Sequence, residues 1–145
     1  MKITFKKLDP KAVIPSRATP GSAGMDVCAC LDGPVTLVPG EIKMIPTGLA
    51  AACDETDVAL LIYPRSGLSA KHGISLANCV GVVDSDYRGA WYIPLINNGS
   101  SDFTVENGMR IAQLIPTRIL MPEIEVSDDL TETERGSGGF GSSGV

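Results

Sequence analysis

Apolar and polar residues alternate with a period of two at several points along the chain. Ile3 and Phe5 alternate with Thr4 and Lys6, Ile42 and Met44 with Glu41 and Lys43, and Phe103 and Val105 with Asp102, Thr104 and Glu106. Successive side chains of a strand point to opposite faces, so this pattern predicts strands with one covered face. Val58 to Tyr63 is continuously apolar and predicts a core strand. Turn signals at Asp32-Gly33-Pro34, Pro39-Gly40, Asn97-Asn98-Gly99 and Asn107-Gly108 are spaced as in an antiparallel barrel or jelly roll. Only Ser66 to Gly73 reads as helical: Ser66 can cap, Leu68, Ala70 and Lys71 favour helix, and Gly73 can end it. The expected fold class is therefore all-β, an antiparallel jelly-roll or β-barrel-like domain with one short helix.

Within this pattern the stretch from Gly81 to Gly89, GVVDSDYRG, is unusual. It places Asp84, Asp86, Tyr87 and Arg88 in a turn between two apolar runs, Ser75 to Val83 and Trp91 to Ile96. Glycines at its edges can supply bends, and the whole reads as a long β-hairpin with a reactive tip. Taken alone, Asp84-Ser85-Asp86 could equally be a hydrophilic turn and Tyr87 an ordinary strand aromatic. Arg65 also has two readings. A helix starting just after it would aim free N–H groups at whatever Arg65 binds, which suits a phosphate; otherwise Arg65 makes a surface ion pair and Ser66 is only a cap.

From Pro122 the chain turns acidic (Glu123, Glu125, Asp128, Asp129, Glu132, Glu134) and then Gly- and Ser-rich to Gly144, with Phe140 as the one aromatic there. The expected division is a β-domain over 1–121 and a flexible C-terminal arm over 122–145. Gly/Ser composition alone describes a linker. Arg135 and Phe140 favour a lid that orders over a nucleotide, with Phe140 stacked on the base, a contact worth roughly 1–3 kcal/mol.

Composition narrows the partners. A chain of 145 residues, 43% hydrophobic and 20% charged, is one domain with a real core. No run approaches the roughly 18 apolar residues of a membrane span, and the N-terminus lacks the apolar run of a signal peptide, so a cytoplasmic protein is expected. A net charge of -5 argues against coating nucleic acid but allows a small anion held by local cations such as Arg65 and Arg135. Cys28, Cys30, Cys53 and Cys79 form no C-x-x-C pair, and His72 stands alone, so reduced buried thiols are expected rather than a zinc site.

Five blocks in chain order carry a resemblance to a known family: Ala23-Gly24-Met25-Asp26, Pro64-Arg65-Ser66-Gly67, the Gly81 to Gly89 stretch, Arg110-Ile111-Ala112-Gln113-Leu114, and Arg135-Gly136-Ser137-Gly138-Gly139-Phe140-Gly141. Together they closely resemble the trimeric dUTP pyrophosphatases (dUTPases) over nearly the whole chain. The resemblance implies that Asn78 and adjacent backbone read the uracil edge, Tyr87 stacks under the deoxyribose and excludes a 2'-hydroxyl, and Asp84 meets the 3'-hydroxyl and the attacking water. It implies phosphates on Arg65, Ser66 and Gly67 with Gln113 near, closed over by Arg135, Phe140, Gly141, Ser142 and Ser143. It further implies Mg2+ bridging the triphosphate, with Asp26 holding one of the ion's waters, although an Asx turn at Asp26 fits the residues as well.

The reaction so implied is water attack on the α-phosphorus of dUTP, giving dUMP and pyrophosphate, in a homotrimer whose sites are shared between subunits. A dCTP deaminase-like enzyme is the first alternative, but it would need a catalytic glutamate after the hairpin, and Ala90 to Ile96 contains no carboxylate. The second alternative, a non-catalytic nucleotide-binding regulator, would be favoured by loss of Asp84 or Arg135, and both are present.

Overall fold

The apolar run Val58–Tyr63 forms strand β6, which lies between two partners in a four-stranded sheet ordered β2-β11-β6-β8 (β2 Met25–Cys28, β8 Gly81–Val83, β11 Arg110–Arg118). The computed structural model describes residues 1–139. A second sheet is ordered β4-β9-β7 (β4 Ile42–Pro46, β7 Ile74–Leu76, β9 Tyr92–Asn97), and two-stranded pairs join β1 (Ile3–Lys7) to β5 (Leu49–Cys53) and β3 (Val35–Leu37) to β10 (Phe103–Val105). Every strand pairing is antiparallel. With one helix among the described residues, α1 (Ser66–His72), the arrangement is the jelly-roll-like all-β fold that the turn spacing predicted.

One core serves all the sheets. Leu60 and Leu114 enter it from the four-stranded sheet, Ile45 and Leu95 from the three-stranded one, Leu37 and Val105 from β3 and β10, and Ala51 from β5. Each is buried, and burying a side chain of the Leu or Ile class contributes about 1.5–3 kcal/mol. Phe5 packs edge to face on Trp91 with ring centroids 5.7 Å apart, tying β1 to the segment before β9.

Three local expectations need correction. Ile42 and Met44 alternate as predicted, but they point outward, 54% and 59% exposed, because Ile45 occupies the core. Lys43, on the same side as Ile45, is only half-buried and carries its ammonium out to the Thr36 carbonyl at 2.6 Å. At the helix, Arg65 rather than Ser66 is the N-cap residue, and it makes no side-chain capping bond. Gly73 ends the helix in the left-handed conformation, φ 69°, as expected. Among the cysteines, Cys28, Cys30 and Cys53 are buried thiols, but Cys79 is exposed.

Asn97 also differs from its reading as a turn residue. It is the last residue of β9, fully buried, and its side chain organises the loop that follows. The amide donates to the carbonyls of Leu37 (2.9 Å) and Ser101 (2.8 Å), and its oxygen accepts the Gly99 N–H at 2.9 Å.

Replacing Asn97 by Ala removes a partner from the buried Leu37 carbonyl and from the partly buried Ser101 carbonyl and Gly99 N–H. Each costs about 1–3 kcal/mol to leave unmade, so Asn97→Ala should lower folding stability by about 3 kcal/mol or more in urea titrations. A loss below about 1 kcal/mol would show that water replaces the amide. Thiol labelling gives a second expectation. Cys28, Cys30 and Cys53 are buried, and burial pushes the first two thiols up in pKa, so the exposed Cys79 should be labelled first while the buried three wait for unfolding.

Candidate active site

The stretch Ser75 to Ile96 is not one long hairpin. Gly81, Val82 and Val83 pair with Ile62, Leu61 and Leu60 of β6, whereas β9 pairs with β4 and β7 in the other sheet. The chain changes sheets at a corner after Leu76. The Cys79 N–H donates to the Leu76 carbonyl, the Val80 N–H to the Asn78 carbonyl, and Cys79 takes φ 62°. Asn78 stands at this corner, and the opening between the diverging β8 and β9 is a cavity of about 280 Å³.

Asn78, Gly81, Val83, Asp84 and Tyr87 all line that cavity. Asp84 is exposed, directly after β8. The turn carrying it is held by its own residues: the Tyr87 N–H donates to the Asp84 carbonyl at 3.1 Å, and Arg88 Nη1 donates to the carbonyls of Ser85 (2.7 Å) and Tyr87 (3.0 Å). Arg88 thus clasps the tip rather than facing the cavity. Tyr87 is 45% exposed, a large aromatic held in the open by a 3.1 Å hydrogen bond from its hydroxyl to the Ala90 carbonyl.

The second cluster lies across β2, β11 and the chain after β6. Gly24, Asp26, Arg65, Ser66, Gly67 and Gln113 line a polar cavity of about 330 Å³. Register explains the assembly: Gln113 of β11 lies opposite Asp26 of β2 on one side and opposite Tyr63 of β6 on the other. The Asp26 carboxylate takes Arg65 Nε at 2.9 Å on one oxygen and Arg110 Nη1 at 3.1 Å on the other. Asp26 is therefore a strand residue holding two guanidinium groups, and the Asx-turn reading is set aside. Gln113 Nε2 donates to the Pro64 carbonyl at 2.9 Å.

Sequence reasoning assigned no role to Arg110 or Arg17. Arg110 shares Asp26 with Arg65, and Arg65 in turn donates to the Arg110 carbonyl at 3.3 Å. Arg17 Nη1 donates to the carbonyls of Ser22 and Ala23 and so fixes the loop leading into Gly24. Arg110 opens one of the recurring blocks, which was a usable signal; nothing in the spacing marks Arg17.

The two clusters are separated by β6 itself. Val83, which precedes Asp84, sits opposite Leu60, and Arg65 lies five residues beyond Leu60 along the same chain. At about 3.3 Å per extended residue that is roughly 16 Å. Arg135 is exposed, with Nε donating to the Gly138 carbonyl at 2.8 Å, and Phe140, Gly141, Ser142 and Ser143 lie outside the described residues. Among the described residues no three His, Cys, Asp or Glu side chains converge, so a cation here would take most of its oxygens from ligand and water.

A jelly-roll-like domain with a nucleoside-sized cavity and a guanidinium-lined cradle on one sheet defines a nucleotide-handling β-protein. Residues 10–144 match the dUTPase family, and the chain belongs to that family of dUTP diphosphatases. The deoxyuridine 5'-triphosphate nucleotidohydrolase of Serratia proteamaculans is 48% identical over 147 residues, covering 99% of this chain and 97% of its own. That of Desulfitobacterium hafniense is 47% identical over 145 residues, covering 100% and 96%. Among solved structures, the dUTPase of Staphylococcus bacteriophage 80alpha with dUPNHPP superposes with a TM-score of 0.87 at 28% identity, covering 99% of both chains.

Asp26→Ala would leave two guanidinium groups facing each other without their shared counter-ion. Hydrogen bonds to charged groups are worth about 1.5–3 kcal/mol, and the Asp26 side chain is only 18% exposed. Stability should fall by about 1–3 kcal/mol in chemical denaturation. A change under about 0.5 kcal/mol would show that water serves both arginines equally well.

Proposed function

We propose that the protein hydrolyses dUTP to dUMP and pyrophosphate, in the cytoplasm, at a site completed by other copies of the chain. The observation that carries this reading is the convergence of Asn78, Asp84 and Tyr87 on one cavity at the corner between β8 and β9. At about 280 Å³ it lies at the small end of ligand pockets, near 300–1,000 Å³. It suits the nucleoside and leaves the triphosphate outside.

In this reading the Asn78 side-chain amide, with backbone groups beside it that the corner's own bonds leave free, reads uracil O4, N3–H and O2. A site built on such bonds can reject an analogue that leaves them unpaired by up to about 10⁴–10⁵. Tyr87 packs against the deoxyribose and takes the space of a 2'-hydroxyl. Asp84 orients a water on the α-phosphorus and accepts its proton as the new P–O bond forms. The bond from the α-phosphorus to the bridging oxygen breaks, and pyrophosphate leaves. A carboxylate is a weak base, so positioning carries most of the rate.

The triphosphate would lie on Arg65, Ser66, Gly67 and Gln113, where Arg65 takes up developing negative charge. Asp26 keeps lone pairs beyond those its two arginines use, so it fits a role in holding a water of a triphosphate-bound Mg2+. When bound, Mg2+ would neutralise phosphate charge and orient the leaving group.

The backbones that carry Asp84 and Arg65 stand roughly 16 Å apart along β6, a spacing that fits a site taking its phosphates on another subunit's copy of the cradle. We read residues 1–121 as the β-domain and 122–145 as an arm that reaches another subunit of a homotrimer. Ile42, Met44 and Tyr92 are exposed on the β4-β9 face, and Ile124, Val126 and Leu130 are 86–94% exposed along the arm. Such apolar surface is what subunit contacts cover. The arm's Arg135, Phe140, Gly141, Ser142 and Ser143 would then close over the nucleotide.

Asp84→Asn keeps shape but removes the charge. It should bind a non-hydrolysable dUTP analogue within a few-fold of normal while turnover falls at least about 100-fold. Near-normal turnover would remove Asp84 from the water-activating role. For the shared site, Asp84→Ala is unfolded and refolded together with a chain ending at Glu134, both inactive alone. Activity should return in the mixed trimers, and its absence in confirmed mixed trimers would assign each arm to its own chain.

A further inference from the structure

Gly89 is shaped by what stands beside it. A methyl group placed on its Cα would come within 2.3 Å of Tyr87 Oη, 2.5 Å of Cζ and 2.9 Å of Cε2. All three approaches are closer than ordinary side-chain carbons ever make, and all three nearest atoms belong to one ring. Conformational freedom is not the reason for glycine here, because Gly89 is not among the residues with positive φ. The backbone would admit alanine; the three nearest atoms that a methyl group would strike all belong to Tyr87.

The ring is otherwise held by little. Tyr87 is 45% exposed, and its one hydrogen bond runs from Oη to the Ala90 carbonyl, the residue after Gly89. The side chain thus folds back over its own chain, its hydroxyl end closest to Gly89 and tethered one residue further on. The clasp by Arg88 on the Ser85 and Tyr87 carbonyls fixes the backbone from which the ring departs. Backbone position comes from Arg88, ring position from the absence of a side chain at 89.

We infer that Gly89 is a positioning residue for sugar selection: it sets how far the Tyr87 ring lies from the bound deoxyribose, and any side chain at 89 pushes the ring into the cavity or off it. The inference rests on the reading of Tyr87 as the group that takes the space of a 2'-hydroxyl. It adds that the gate has a fixed height, determined by a residue that does not itself line the cavity. A ring raised by even a fraction of an ångström crowds the deoxyribose, and a ring swung aside opens room for ribose.

The test is a cycle of Gly89→Ala, Tyr87→Ala and the double variant in the full-length protein, reading kcat/KM for dUTP and for UTP. Gly89→Ala should lower the dUTP-to-UTP ratio about tenfold or raise KM for dUTP about tenfold, with kcat changed less than KM. In the Tyr87→Ala background the same substitution should change neither parameter by more than about twofold, because the ring it would strike is gone. An independent readout is the ring NMR signals of the three tyrosines. Gly89→Ala should shift those of Tyr87 and leave Tyr63 and Tyr92 in place.

Unmoved Tyr87 signals in Gly89→Ala, or an equal effect of the substitution with and without the ring, would overturn the inference. So would failure of the double variant to fold, since another part of the chain would then be rejecting the methyl group. If Tyr87→Ala leaves the dUTP-to-UTP ratio unchanged while Gly89→Ala still moves the ring, the sugar-gate reading falls on its own and the link from Gly89 to the ring stands.

Discussion

Hydrogen bonds on the two sides of β6 set the geometry on which the rest of this molecule depends. On one side β11 brings Gln113 to Tyr63 and so places it beside the Arg65 turn. On the other, β8 runs the opposite way and carries Asp84 toward the far end of the same strand. A paired strand cannot shorten, because each residue's rise is fixed by its extended backbone and its ladder bonds. The separation between the backbones that carry the carboxylate and the guanidinium cluster is therefore built into the sheet.

Each cluster is preorganised by contacts that leave its working groups free. In the cradle, Asp26 offsets the repulsion between Arg65 and Arg110 and lets both stand close together before any anion arrives. At the tip, Arg88 satisfies two carbonyls that the tight turn would leave exposed to water, and Gly89 leaves room for the ring of Tyr87. In both places an arginine does structural duty beside residues suited to bind a ligand. Arginine suits this because its rigid fork of donors can serve two acceptors at once.

The apolar side chains outside the core are the counterpart of this economy. Ile42 and Met44 face outward because Ile45 fills the interior, and Ile124 and Val126 alternate with acidic residues along a segment without strand partners in this chain. Exposed apolar residues in single positions are ordinary. A face and an arm together describe surface that a further copy can cover, and this is the physical content of reading the site as incomplete in one chain.

Strand positions, the core strand Val58–Tyr63 and the short helix ending at Gly73 were legible in the sequence, because periodicity and turn chemistry act over a few residues. So were the five ordered blocks that mark the family. Other features depend on partners far away along the chain. The left-handed corner at Cys79 sends Gly81 to β6 instead of β9, Ile45 decides which way Ile42 and Met44 point, and Arg110 meets Asp26 across 84 residues. Local pattern determines which segments are strands and where polar side chains interrupt them; which strand each one pairs with, and hence which side chains share a cavity, is decided by sheet register, a property of residues that are neighbours only once the chain has folded.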